Sequence, residues 1–254
     1  MKDLHRLLRP NPFANDTGQI EPELADALAQ PVSKRAEAVV VALAEGRIVL
    51  PISPHAQPED ITALRAGKLP VSKNAESESS CASELDLSLS IPEVSYPGGA
   101  TALPIFSSAD QLAQWDSTYR PLLLKTRAAA ALSLQRYGGQ MVLDPQTSHQ
   151  IWLGRSVTVS WITEVPWVSP WSDPELANYL AETADISAAV VLSVHAGAQG
   201  ASIVQVGIPL ALAERQVLQD AVQKVATALA EDTYLKARFD VVEIRPEILE
   251  SSIS

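Results

Sequence analysis

The chain has 254 residues and a mass of 27.2 kDa, with 46% hydrophobic and 19% charged residues and a mean hydropathy of +0.06, the composition of a folded globular protein and not of a disordered one. Lys and Arg number 19 against 30 Asp and Glu, for a formal charge of −11, and a field of that sign repels phosphate backbones and anionic lipid heads, which argues against nucleic acid and membrane as partners. The one cysteine, Cys81, rules out an internal disulfide, and no leader-type segment or long apolar run is read, so a cytoplasmic protein is expected.

Residues 1–20 mix Pro, Asn, Asp and Gly after a Leu-bearing start and are read as an N-terminal arm able to dock through Leu4, Leu7, Leu8 and Phe13. A helix follows over 21–30, with Pro22 at its start, Glu21 and Glu23 in its first turn, and Leu24 and Leu28 on one face. The β-branched runs at 37–43 and 47–52, separated by Glu45 and Gly46, predict an antiparallel hairpin. Residues 74–83 are rich in Ser and Glu without a bulky apolar residue, which predicts an acidic mobile loop, and the alternation of Leu85, Leu87, Leu89 and Ile91 predicts a half-buried strand after it. A strand at 102–106 leads into a helix capped by Ser107, with Asp110 at its third position. A helix at 126–137 ends at Gly138 and Gly139, and a strand at 140–143 stops at Asp144 and Pro145. Residues 151–153 and 156–162 read as extended. Three prolines between 165 and 174 precede a helix whose capping box pairs Ser172 with Glu175. Strands at 188–195 and 201–208, a helix at 212–230 and a strand at 239–244 complete an α-β-β-α-β order.

The predicted fold class is α+β, with two α+β domains. Residues 21–165 form the first, on a mixed or antiparallel sheet, 166–172 are a Trp- and Pro-rich connector, and 173–254 form a smaller second domain.

Known chemistries find little purchase. His5, His55, His149 and His195 are scattered without metal-ligand spacing, Gly154-Arg155-Ser156 lacks the second glycine of a nucleophile elbow, and the glycines at 197 and 200 lead into a strand and not a phosphate-binding helix. Cys81 sits among acidic residues that hold a thiol protonated. Asp144 before Pro145 fits a turn opener better than a base. No catalytic, metal or cofactor set is assigned, and no cofactor is expected. The unusual constellation is Trp152, Trp161, Trp167 and Trp171, four of the five tryptophans within twenty residues. Tryptophan is enriched at binding hot spots. The strand alternation puts Trp161 beside Val157 and Val159 in a core, whereas Trp167 and Trp171, flanked by Pro166 and Pro170, fit a wedge between domains or a partner contact.

Taken in order, residues 23–28, 47–52 and 103–108 with Leu112 and Trp115, then Arg120 with Pro121, Arg127 with its alanines, and 141–145 resemble the SseB family as found in actinobacteria. The resemblance implies an N-terminal α+β domain of the type named for enhanced serine sensitivity, and 221–244 looks like the end of the family's C-terminal domain. The loop at 74–83 and the elaborate connector depart from that pattern. It carries no catalytic residue set with it. The expected role is a non-enzymatic binding or regulatory protein, with a protein or a second copy of the chain as partner. The alternative is a small-metabolite binder or an enzyme linked to amino-acid or sulfur metabolism, its site dispersed over residues such as Asp144, His149 and His195.

Overall fold

The computed structural model describes residues 13, 15–56, 58–67, 91–187, 189–210 and 214–249. The acidic segment 74–83 and most of the strand expected after it lie outside these residues.

The chain opens with α1 (Pro22–Leu28), which buries Leu24 and Leu28 as the sequence predicts, and continues into α2 (Val32–Ala44). This second element corrects the expected hairpin. Val39, Val40 and Leu43 are buried with Ala36 while Val41 is 74% exposed, a burial period of 3.6 that no strand could give. The β-branched run is outweighed by the alanines, Lys34, Arg35 and Glu37, all strong helix formers. Only the second half of the hairpin survives as a strand, β1 (Arg47–Ile52), and its partner is the distant β4 (Arg120–Lys125), antiparallel with Arg47 opposite Lys125. Every residue of β1 is buried.

After α3 (Pro58–Arg65), the strands β2 (Val94–Ser95) and β3 (Thr101–Ile105), the helix α4 (Ala109–Trp115), the strand β4, the helix α5 (Thr126–Arg136) and the strands β5 (Met141–Leu143) and β6 (Ile151–Leu153) complete a four-stranded sheet in the order β2-β3-β5-β6. Here β3 and β5 run parallel and the outer pairs antiparallel. The two-stranded β1-β4 sheet joins it through a bridge between Val49 and Phe106. Ser108, and not Ser107, caps α4, its hydroxyl accepting from the Gln111 amide at 3.1 Å.

Residues expected as extended form α6 (Arg155–Thr163) instead. Val157 and Trp161 share its inner face at i and i+4, and Val159, expected beside them, is 38% exposed. Its hydroxyls are absorbed within the helix and its surroundings: Thr163 donates to the Val159 carbonyl, Ser160 to the Val157 carbonyl, and Thr158 to the Gly139 carbonyl.

The remainder is α7 (Pro174–Thr183), β7 (Val191–Ala196), β8 (Ser202–Pro209), α8 (Arg215–Glu231), α9 (Thr233–Arg238) and β9 (Val242–Leu249), with the sheet order β7-β8-β9. The hairpin β7-β8 is antiparallel and β9 lies parallel to β8 after the helical crossover. Asp173 caps α7, accepting from the Glu175 amide, which replaces the expected Ser172.

The fold is thus α+β with several sheets. One large buried cluster gathers α1, α2, β1, β3, β4, β5, β6 and α6 around Leu43, Ile48, Leu50, Leu103, Ile105 and Met141, and a separate one gathers α7, β8, α8 and α9 around Leu180, Val204, Val206, Val225 and Leu235. Each such side chain taken from water stabilises by roughly 1.5–3 kcal/mol, which is what makes each cluster a core.

Candidate functional site

The tryptophans do not form one cluster. Trp161 is 4% exposed in the larger core, its indole N–H donating to the Val40 carbonyl at 3.0 Å, so the helix buries what the expected strand would also have buried. Trp152 is half-buried on β6 against the cluster of Tyr96, Ala102 and Val142. Trp167 and Trp171 meet edge to face in the connector, with centroids 5.8 Å apart and planes at 82°, an orientation that sets the positive edge of one ring on the negative face of the other.

The connector is held from three sides. Trp167 Nε1 donates to Ser156 Oγ at 3.0 Å, and that hydroxyl donates to Asp240 Oδ2. The hydroxyls of Ser169 and Ser172 both donate to Glu37 Oε1 on α2. Arg238, at the end of α9, donates to the Val168 carbonyl and pairs with Asp173 at 3.0 Å. Trp171 Nε1 is shielded from solvent and has no acceptor among the described residues. Val168 in the connector is 49% exposed, and Val165 immediately before it is 61% exposed. The connector therefore presents apolar side chains outward on a backbone that α2, α6 and α9 fix.

Asp240 is the node of this arrangement. Its carboxylate sits at the N-terminus of α6, where Gly154 is the N-cap position and supplies no side-chain oxygen. Asp240 accepts the Ser156 amide as well as the Ser156 hydroxyl. It thereby satisfies donors that a local Ser or Asp would ordinarily satisfy, and sets a negative charge on the positive end of the helix dipole. A Cβ added at Gly154 would lie 2.0 Å from Asp240 Cγ, so only glycine allows the approach. Burial raises the Asp240 pKa, and the bonds from Ser156 and Arg155 with the Arg155 charge oppose that rise without cancelling it. Burial, and then the Asp240 charge, holds the Tyr96 phenol up in turn.

Two further contacts lie beside it. Val241 packs against the small cluster of Tyr96, Ala102 and Val142, and its carbonyl accepts the Ser202 amide. The turn joining β7 to β8 brings Gly200, at φ +83°, against β6, where a Cβ would stand 2.8 Å from the Trp152 carbonyl oxygen.

The residues of the dispersed alternative separate. Asp144 is 2% exposed and takes φ 46° at the end of β5. Its Oδ1 accepts the Ser107 amide at 2.8 Å, and its own amide donates to the Ile105 carbonyl, which staples the carboxyl ends of the parallel β3 and β5 together. Burial raises its pKa, opposed by the Ser107 bonds and the His149 charge. His149 is thus near Asp144, but His195 is on β7, its Nε2 2.8 Å from Ser193 Oγ. Among the described residues no group of three or more His, Cys, Asp or Glu could hold a metal ion, and no helix is long and apolar enough to cross a membrane.

The sequence singles out Trp167 and Trp171 by composition, but not Asp240, Ser156, Glu37 and Arg238, which bond this stretch. The one local signal was Gly154, a glycine directly before a segment that proves helical. Its meaning depends on a residue 86 positions later.

These features define the class: a mixed α+β protein whose helix α6 is capped by a carboxylate from far along the chain. The chain belongs to the SseB family, with residues 21–157 matching the SseB protein N-terminal domain. No curated protein and no solved structure matches it.

Proposed function

We propose that the chain is a non-enzymatic binding or regulatory protein of the cytoplasm, built from two domains, 21–165 and 173–254, with the connector at 166–172 as its contact surface. The observation that carries this is the pairing of rigidity and exposure at the connector. Val165 and Val168 are exposed beside Trp167 and Trp171, on a backbone anchored by Glu37 and Arg238. An apolar surface fixed in advance loses little entropy when it binds, and aromatic residues next to exposed aliphatic ones are the composition of protein contact sites. The separate hydrophobic clusters around Leu43 and Leu180 support the division into two domains. The buried carboxylates support a non-enzymatic role, because Asp144 and Asp240 are turned toward backbone amides and held from solvent.

The test is quantitative cross-linking and capture with the wild-type chain and with Val165→Asp/Val168→Asp, two surface changes that leave both cores untouched. Loss of one specific bound protein from the variant is expected. An unchanged set of bound proteins would remove the connector, and a thermal-shift panel of amino acids and sulfur metabolites addresses the alternative. A ligand at 100 times its Kd stabilises a fold by about 2.7 kcal/mol, and a reproducible shift of that order from one compound class would overturn the non-enzymatic reading.

A further inference from the structure

An open groove of about 870 Å³ runs between α1 and α2. Ala27, Ala38, Val41 and Ala42 give it an apolar floor, and Val41, 74% exposed, is the most exposed large apolar side chain among the described residues. Glu21, Glu23, Asp26, Glu37 and Glu45 line its rim against the single cation Lys34. Two of these carboxylates serve the fold: Glu21 accepts the Arg47 amide, and Glu37 accepts the connector hydroxyls. Glu23, Asp26 and Glu45 enter no ion pair among the described residues. An exposed apolar stripe bordered by uncompensated carboxylates fits a segment in which leucines alternate with cations.

We infer that the occupant is the chain's own first twelve residues, whose Leu4, Leu7 and Leu8 match the apolar floor and whose Lys2, Arg6 and Arg9 match the acidic rim in chemistry. That segment carries Lys2, Arg6 and Arg9 with a single acidic residue, Asp3. The chain also enters the fold at the groove's end. Asp16 pairs with Arg47 at 2.6 Å, Arg47 follows the groove residue Gly46, and the Gln19 carbonyl accepts from the same guanidinium. Twelve residues reach up to about 40 Å, against roughly 20 Å for the length of α2, so the segment can run the whole groove. Because it is tethered, its effective concentration there is in the millimolar range. This inference does not rest on the connector as a contact surface, although the groove and the connector share Glu37.

A fluorescent peptide of residues 1–12 provides the probe, titrated by anisotropy against the full native chain and against the full chain carrying Lys2→Glu/Arg6→Glu/Arg9→Glu. Saturable binding to the variant is expected, at least about tenfold weaker to the native chain, whose tethered arm competes. Adding Glu23→Lys/Asp26→Lys/Glu45→Lys, or raising salt to about 0.5 M, should weaken it at least about tenfold again. These positions are exposed, and far-UV spectra and melting midpoints verify that each variant is folded. No saturable binding to the variant arm chain, equal affinity for both chains, or binding that survives reversal of the rim would overturn the inference. So would a dimer in sedimentation that the arm variant dissolves, since the occupant would then be a second copy.

Discussion

Asp16 and Asp240 each fasten a remote stretch of chain to the larger core, Asp16 on the guanidinium of Arg47 and Asp240 on the amide end of α6. The Arg47 hydrogen bonds hold the Asp16 carboxyl below its ordinary range, whereas burial pushes Asp240 above it in spite of its donors. Asp16 is an ion pair at the margin, its side chain 27% exposed over an arginine that is 5% exposed. Asp240 is a cap supplied from another part of the sequence. The contrast shows two ways to fasten a distant segment: one gains from charge, and the other bears a desolvation cost in order to complete a helix that lacks its own cap.

The contrast can be broken most severely at Gly154. Gly154→Ala drives a methyl into Asp240 and should destabilise by about 3 kcal/mol in urea unfolding. Arg47→Met keeps the buried stem but leaves Asp16 without its cation, and should cost about 2 kcal/mol, less than a fully buried pair because Asp16 is partly solvated. Trp167→Phe removes the indole donor to Ser156 and trims the ring that meets Trp171, and should cost about 1 kcal/mol by thermal melting.

The smallest and sharpest effect is in pH dependence. A lowered carboxyl pKa adds stability above the ordinary value of 3.8, lost as pH falls through the folded value, so the penalty of Asp16→Asn should grow as pH rises toward 3.8 and then level. A raised pKa adds stability below 3.8 that is lost as pH rises through the folded value, so Asp240→Asn should improve relative to wild type over that rise. Against wild type, the Asp16→Asn midpoint should therefore fall as pH rises up to about 3.8, and the Asp240→Asn midpoint should rise above that pH.

Much of the second core was legible because its order is carried by local signals: the hairpin turn at Gly197 to Gly200, the long amphipathic α8, and Pro174 at the start of α7. The start of α7 was read one residue early, since Ser172 and Asp173 are both capping residues and only the position of Glu37 decides between them. The larger core was misread where valines cluster. In α2, Val39 to Val41 carry strand propensity, but packing on α1 selects the helical period. In α6, the cap comes from Asp240, so no local motif marks the start. The connector's aromatic composition was visible, and its anchors were not, because Glu37 and Arg238 reach it from more than sixty residues away on either side.

The coupling of the two cores through Asp240 is tested most directly by urea unfolding of wild type and Asp240→Ala, followed in parallel by tryptophan fluorescence, which reports chiefly on Trp152 to Trp171, and by far-UV circular dichroism, which reports on both cores. With Asp240 clamping α6, the two probes should coincide in wild type, while the alanine variant should show an earlier fluorescence transition and a separate later loss of ellipticity. Coincident transitions in Asp240→Ala at the wild-type midpoint would contradict the clamp.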